Sequence, residues 1–388
     1  MTVRATARGT RRHSLDGTTV DALICGASFA GLAVARELAG CGASVLLIDR
    51  YEIGERATSA CAAPTPWLHA LGLEGAICQE IPHMRFHTPH GSVRYRLPWS
   101  WSAFDYRRLC RLLRAQSDAR FETAKVHGRV QTDQPVDGAM IAVGTDRGVL
   151  RAPLVVDALG WRRVLGQDAY QPPRSPLSRG LEVHPQGSGE DLDVWIERSL
   201  VRRGYGWRVP AAGEARVGVA SYAPAEHVRR PTERLAARLD LDPVRYQGNW
   251  FPHRLRPATE NSIFFVGDSA GHCFPLSGEG IRTALYFGIA CGRELSGVLN
   301  RERTRSEAIA RYAAFSAGHR RAFMIASRLQ QTVPALPPRV LMASLRLLNR
   351  QRLIDRSFGW YLNQAHPSFA TAPATDGVTA SRVTPVTG

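Results

Sequence analysis

The stretch that decides the fold runs from Asp21 to Asp49: D-A-L-I-C-G-A-S-F-A-G-L-A-V-A-R-E-L-A-G-C-G-A-S-V-L-L-I-D. Residues 21–25 are a short apolar run and predict a buried strand. Gly26-Ala27-Ser28-Phe29-Ala30-Gly31 turns the chain. Residues 32–39 carry apolar side chains at helical spacing, and Gly40-Cys41-Gly42 stops them. Residues 44–48, S-V-L-L-I, are a second strand, closed by Asp49-Arg50. Strand, glycine turn, helix and strand in about 30 residues, with an acid at the end, form the dinucleotide-binding fingerprint in its structural context. Gly26, Ser28 and Gly31 occupy its glycine positions. Ser28 stands where the middle glycine normally lets backbone approach a pyrophosphate, and its hydroxyl can donate to a phosphate oxygen. Asp49, beside Arg50, is placed to bind ribose hydroxyls.

Working outward, residues 261–295 read N-S-I-F-F-V-G-D-S-A-G-H-C-F-P-L-S-G-E-G-I-R-T-A-L-Y-F-G-I-A-C-G-R-E-L. Residues 263–266 predict another buried strand, which breaks at Gly267-Asp268. A Gly/Ser/Pro-rich loop leads to Gly278-Glu279-Gly280-Ile281, where a helix opens. Asp268 can accept from a sugar or ribityl hydroxyl, and the helix start offers free N–H groups and partial positive charge. Both features suit a bulky polar cofactor.

Between these stretches, residues 104–113 (F-D-Y-R-R-L-C-R-L-L) start a basic helix that brings Arg107 and Arg108 within reach of a pyrophosphate. Residues 126–150 predict a β-meander. Residues 154–156, followed by Asp157-Ala158-Leu159-Gly160, predict a strand of the first parallel sheet. Residues 84–97 and 192–222 read as antiparallel sheet, with 166–190 as a crossover. The predicted fold is α/β: a Rossmann-like cofactor domain (parallel sheet plus β-meander) from residues 20–80, 105–165 and 255–300, and an antiparallel-sheet substrate domain from 81–104 and 166–254. A C-terminal helical region follows at 301–366. Residues 1–19 and 367–388 are expected to be a disordered basic extension and a disordered tail.

The net charge is +16, and Lys125 is the only lysine. The arginines are scattered and no nucleic-acid-binding pattern interleaves them with aromatics, so no nucleic-acid partner is expected. Residues 301–388 hold 13 arginines against four acids. That excess is read either as a helical cap or as a basic amphipathic face resting on a membrane. No apolar run reaches the roughly 18 residues of a bilayer span, and the arginine-rich start lacks the apolar core of a signal peptide. Seven cysteines, an odd number with no C-x-x-C, argue against a disulfide framework and a zinc site. No metal is expected, and a reducing cytoplasm, with peripheral membrane contact as an option, is the predicted location.

Together these segments resemble the geranylgeranyl reductase family of FAD-dependent oxidoreductases, within the wider p-hydroxybenzoate hydroxylase-like flavoproteins. The resemblance covers roughly residues 21–299. It is carried by G-D-S-A-G-H-C-F-P-L-S-G-E-G-I-R-T-A-L and by Tyr205-Gly206-Trp207-Arg208-Val209-Pro210 with Gly218. The second motif looks like the reductases' Y-x-W-x-F-P substrate motif, with Val209 in place of phenylalanine. Gly271 stands where the hydroxylases carry histidine, and Glu279 where they carry glutamine. Their Asp-Gly motif is present only as D-A-L-G, residues 157–160. The resemblance implies FAD as cofactor, held by Gly26, Ser28, Gly31, Asp49, Arg50, Arg107, Arg108, Gly267, Asp268, Gly278, Gly280 and Ile281. It implies a hydrophobic small-molecule substrate against Tyr205, Trp207 and Pro210, whose C=C bond is reduced by hydride from reduced flavin. Cys61, near the place of a family cysteine, and His272 are the candidate catalytic proton donors. One dinucleotide fingerprint implies a transient reductant, either NAD(P)H or a ferredoxin-like donor. Two alternatives stay open: an NAD(P)H- and O2-dependent flavin monooxygenase, and a non-redox lycopene-cyclase-like flavoprotein. Oligomeric state is not legible.

Overall fold

Short strands whose apolar residues are all buried have to stack beside one another, and they set the first layer of the computed structural model. The structure describes residues 12–57, 60–131, 140–167 and 175–372. A six-stranded sheet runs in the order Thr259–Glu260, Ile263–Phe265, Leu154–Asp157, Ala22–Cys25, Val45–Asp49, Arg120–Thr123. All neighbours are parallel except Thr259–Glu260. The central strands read as unbroken apolar runs because parallel sheets are covered on both faces, and Ala22 to Cys25 are each fully buried. A meander of Val126–Arg129, Ile141–Thr145 and Gly148–Ala152 sends Val143, Leu150 and Ala152 into the same core.

Helices Phe29–Glu37, Tyr106–Ala115 and Ile281–Leu299 pack around this sheet. Asp105 starts the second by accepting from Arg108 N–H at 2.7 Å, an N-cap of the ordinary kind. The third lies almost backbone to backbone on the first: a Cβ at Gly288 would sit 2.7 Å from Ala33 Cβ. The small residues on this helix are therefore a packing face.

The second layer is an eight-stranded sheet in the order Gln247–Pro252, Leu177–Val183, Ala215–Ser221, Gly204–Pro210, Leu192–Trp195, Ile77–Thr88, Gly91–Phe104, Ala62–Pro64. It is antiparallel except where Leu192–Trp195 meets Ile77–Thr88. Helix Arg229–Arg238 covers one face through Val183, Val217, Val219, Leu235 and Ala236. By strand alternation, Arg216, Gly218 and Ala220 face the other way. A third layer holds helices Arg305–Gly318, Arg320–Thr332, Pro338–Leu348, Gln351–Leu362 and Ser368–Thr371. The first of these is opened by a capping box between Thr304 and Glu307.

Four expectations change. The crossover at 166–190 contains the strand Leu177–Val183, paired on both sides. Residues 60–80 do not all belong with the parallel sheet, because Ala62–Pro64 and the start of Ile77–Thr88 join the antiparallel one. Residues 12–20 are ordered: Leu15 is buried, its N–H donates to Arg147 O, and Gly17 N–H donates to Val149 O. The helical cap also runs on to Thr371, because Phe369 stacks on Phe315 and lies 4.5 Å from the Tyr286 ring. Residues 1–11 and 373–388 lie outside the described residues.

Candidate functional site

The parallel strands Ala22–Cys25, Val45–Asp49 and Ile263–Phe265 end on one edge of their sheet, where open α/β sheets bind ligands. At Gly26 the chain takes φ +112° between the strand and Ala158, and a Cβ there would collide with the Ala158 carbonyl. A Cβ on Gly31 would strike the Gly26 carbonyl. These two glycines are demanded by close approach. Ser28 is not: it is the extended N-cap residue of Phe29–Glu37, and its side chain caps nothing in the helix. Its hydroxyl is 3.0 Å from the Tyr106 hydroxyl. One of the two O–H groups donates to the other, so one proton stays available to a ligand.

Asp49 clasps this turn. Ala27 N–H donates to its Oδ2 at 2.8 Å and Tyr51 N–H to its Oδ1 at 3.0 Å. Burial pushes its carboxyl up, and these two N–H groups oppose the shift. Arg50 is exposed, with its guanidinium 4.9 Å from the Tyr51 ring. Arg107 and Arg108 are exposed on the first turn of Tyr106–Ala115, and neither makes an ion pair among the described residues. Tyr106 meets Phe29 edge to face at 5.4 Å, which brings this turn beside the Gly26–Gly31 loop.

The second half of the edge is Gly267-Asp268, against the first helix: a Cβ on Gly267 would lie 3.0 Å from Ala30 Cβ. The half-buried Asp268 carboxylate accepts no hydrogen bond among the described residues. Burial pushes it up to about 6, with Arg256 pulling the other way. It faces Gly280, the N-cap residue of Ile281–Leu299, which has no side-chain cap. A Cβ on Gly280 would make only ordinary contacts, 3.6 Å to Cys273 Sγ and 3.7 Å to Asp268 Oδ1. No protein atom requires glycine there, so the missing side chain leaves room for something else. Nearby Asp157 is saturated, accepting from Leu159 N–H, Leu165 N–H and Ser269 Oγ–H, and serves as a structural tie.

Facing this edge is the aromatic side of the large sheet. Tyr205 and Trp207 alternate on one strand, with ring centroids 5.8 Å apart. Gly218 pairs with Trp207 and leaves room for the indole, which a Cβ would strike. The Tyr205 hydroxyl donates to Ser277 O, and the Tyr222 hydroxyl donates to Leu276 O at 3.0 Å. A Cβ on Gly278 (φ +67°) would lie 3.3 Å from the Tyr205 hydroxyl. The sheet is thus bolted to the loop that feeds the uncapped helix. Pro210 is buried with the opposite alternation to Tyr205 and Trp207, so it does not share their wall.

Cys61 has φ +52° and is buried; Arg216 Nη1 donates to the carbonyls of Ala60, Cys61 and Phe104. Burial pushes its thiol up, against the pull of Arg216, so the thiol stays protonated. His272 goes elsewhere. Its ring stacks on Phe287 at 3.7 Å, Nε2 is 3.0 Å from Ser316 Oγ, and the residue is sealed under the helical cap. Burial drives it well down into the neutral form. That geometry gives it no access to a substrate.

Sequence singled out Glu279 but not its partner Arg282, nor the Glu182, His184 and Glu214 group. Glu279 and Arg282 form a buried two-point ion pair, with Nε–Oε1 and Nη2–Oε2 each at 2.8 Å. Arg282 Nη1 also donates to Leu362 O at 2.7 Å, and the Tyr361 hydroxyl donates to Glu279. Their i, i+3 spacing was the available signal. Under Trp207, Glu182 accepts from the indole N–H at 3.2 Å and from Gln247, and is 2.9 Å from His184 Nε2. His184 Nδ1 is 3.1 Å from Glu214, which also takes Arg216 Nε–H at 3.0 Å. Burial alone would lower His184, but the two carboxylates hold it up; Glu214 is held down at about 2. Among the described residues no group of His, Cys, Asp or Glu could hold a metal ion.

No family model matches this sequence, and no curated protein matches it. The chain has the mixed α/β fold of several solved structures. One is a geranylgeranyl bacteriochlorophyll reductase-like protein from Thermoplasma acidophilum, with a TM-score of 0.76 and 17% identity over 91% of this chain and 98% of that one. Another is P. aeruginosa PqsL in complex with 2-aminobenzoylacetate, with a TM-score of 0.64 and 16% identity over 88% and 100% of the chains. A third is a variant of the halogenase PltM in complex with FAD, with a TM-score of 0.58 and 12% identity over 87% and 85% of the chains. The chain therefore has a fold in which a solved relative in shape holds FAD.

Proposed function

We propose that this protein is an FAD-dependent oxidoreductase that reduces a C=C bond of a hydrophobic, isoprenoid or lipid-like substrate. The observation that carries the reading is the shared edge. There the Gly26–Gly31 turn with Asp49 meets the unengaged Asp268 and the uncapped start of Ile281–Leu299. The residues fit the cofactor. Ser28 or Tyr106, with Arg107 and Arg108, would meet the pyrophosphate, Asp49 the ribose, and Asp268 the ribityl chain. The helix start would face the pyrimidine edge, where its N–H groups stabilise negative charge. When bound in its reduced form, FAD supplies the hydride, NAD(P)H or a ferredoxin-like donor having reduced it first.

Tyr205 and Trp207 form the apolar wall that holds the alkene and keeps water out. Glu182 fixes the indole through its N–H. As the hydride adds to one alkene carbon, the other takes a proton, and Cys61 is the donor left once His272 is sealed away. The visible absorbance spectrum of the purified protein, and flavin released on denaturation, test the cofactor. Colourless protein that takes up no added FAD defeats the reading.

PqsL, described as a probable FAD-dependent monooxygenase, has the same fold, which favours one second reading, an NAD(P)H- and O2-dependent monooxygenase. Anaerobic turnover by chemically reduced protein supports the reductase. Strict oxygen dependence with a product heavier by one oxygen atom supports the monooxygenase.

A further inference from the structure

The C-terminal cap has one corner whose surface its own fold does not explain. Helices Pro338–Leu348 and Gln351–Leu362 meet there in a tight turn, with Arg350 N–H donating to Leu348 O at 2.7 Å and Leu353 N–H to Arg350 O at 2.8 Å. Their inner side is satisfied. Leu341, Leu345 and Ile354 are buried against Val93 and Tyr95, and the Tyr95 hydroxyl donates to Leu345 O at 2.6 Å. The outer side carries Leu347, Leu348 and Leu353, which are 64%, 40% and 36% exposed. Around these three leucines stand Arg346, Arg350, Arg352 and Arg356, all exposed and in no ion pair among the described residues. Asp355 is the only acid between residues 320 and 360, against eight arginines. Met324, Val340 and Trp360 extend the exposed apolar area along the same cap.

We infer that this corner docks on an anionic lipid surface, the leucines entering the interface and the four guanidiniums meeting headgroup phosphates. Isolated exposed leucines need no explanation. Three within seven residues, ringed by unpaired arginines on a rigid turn, match the chemistry of an interfacial anchor. A second copy of the chain fits poorly, because a two-fold contact would set the same four arginines against themselves. No helix among the described residues is long and apolar enough to cross a membrane, so the contact is peripheral. The corner also lies close to the site. Leu353 and Tyr361 share a helix and are about 12 Å apart along it at about 1.5 Å per residue, and the Tyr361 hydroxyl reaches Glu279 beside the uncapped helix. The inference draws on the proposed function only for what would enter from the membrane; docking itself needs neither flavin nor turnover.

Flotation of the full-length protein with vesicles tests it. One set mixes phosphatidylglycerol into phosphatidylcholine and the other is pure phosphatidylcholine. Two variants are compared: Leu347→Ser/Leu348→Ser/Leu353→Ser, and Arg346→Gln/Arg350→Gln/Arg352→Gln/Arg356→Gln. All seven side chains are exposed, so unchanged thermal melts are expected. Binding to the anionic vesicles should drop at least tenfold in each variant, and should fall with salt in the wild type. No binding by the wild type, equal binding to both vesicle types, or full binding by both variants would each overturn the proposal. So would a salt-resistant dimer that the leucine variant dissociates, because the corner would then be a contact between copies.

Discussion

At the scale of single residues, Gly280 and Gly26 make opposite predictions although both are glycines of the same cradle. Gly26 needs its positive φ and its missing Cβ for the protein itself. Gly26→Ala should therefore destabilise the flavin-free fold by about 1–3 kcal/mol, visible as a lower midpoint in urea. Gly280 has φ −102°, and a Cβ there would meet the protein only at ordinary contact distances. Gly280→Leu should keep the flavin-free melting temperature within a few degrees and cut bound flavin at least tenfold; a fully yellow variant would contradict the placement. Asp268 adds a pH test. Its folded-state value, about 6 against an ordinary 3.8, means the native state holds a proton that the unfolded chain has lost between those values. Flavin-free protein should lose stability on the order of 1–3 kcal/mol as pH rises through that window. Asp268→Asn should flatten that part of the curve, measured as the wild-type minus variant difference. Sequence made Gly31 and Asp49 legible as members of one turn, since a Cβ on Gly31 meets Gly26 and Asp49 holds Ala27, whereas the close approach of Gly26 to Ala158 lies beyond any local pattern. His272 was misjudged because neighbours in sequence need not point the same way: it leaves the loop toward Phe287 and Ser316, residues no local pattern connects.

At the scale of elements, the uncapped helix is held by charge rather than by a cap. Arg282 is fully buried, and the Glu279 carboxylate beside it raises its already high pKa. Arg282→Met leaves Glu279 buried without its partner and should cost about 3–5 kcal/mol. The double variant Glu279→Gln/Arg282→Met should recover much of that loss, read from chemical denaturation curves. Additive losses would show that the two do not act as a pair. The same scale shows why Leu177–Val183 was missed. Its sequence, L-S-R-G-L-E-V, has no clean alternation and carries a glycine. Gly180 lies under Phe251 and Trp207, 3.5 and 3.8 Å from where a Cβ would be, so the strand is shaped by residues far away in the chain. The parallel strands had no such dependence, because full burial on both faces wrote them as continuous apolar runs.

At the scale of the molecule, the cradle is assembled from the first 50 residues and from those near 270, with the sheet wall and helical cap closing over it. A ligand gripping both halves stabilises the whole. Protein stripped of flavin should melt lower, and adding FAD at a hundredfold excess over its Kd should restore about 2.7 kcal/mol. A melt insensitive to FAD would place the cofactor elsewhere or nowhere. The layered architecture was legible because the motifs fall at strand ends. The docking of the cap was less so, since helical periodicity shows an apolar face without naming what it meets.

The strand order of the parallel sheet also bears on how the protein is made. Ala22–Cys25 sits in the middle of that sheet, yet its neighbour on one side, Leu154–Asp157, leaves the ribosome long after it, and Ile263–Phe265 later still. Until then an apolar strand with a free edge waits in a growing chain, a state prone to sticking to other chains. The cradle is completed only when Ile281–Leu299 arrives, so the cofactor can be gripped from both sides only near the end of synthesis. Chains that stall or terminate before that helix carry half a binding site and an unpaired sheet edge. They are the species that cellular chaperones and proteases would have to clear.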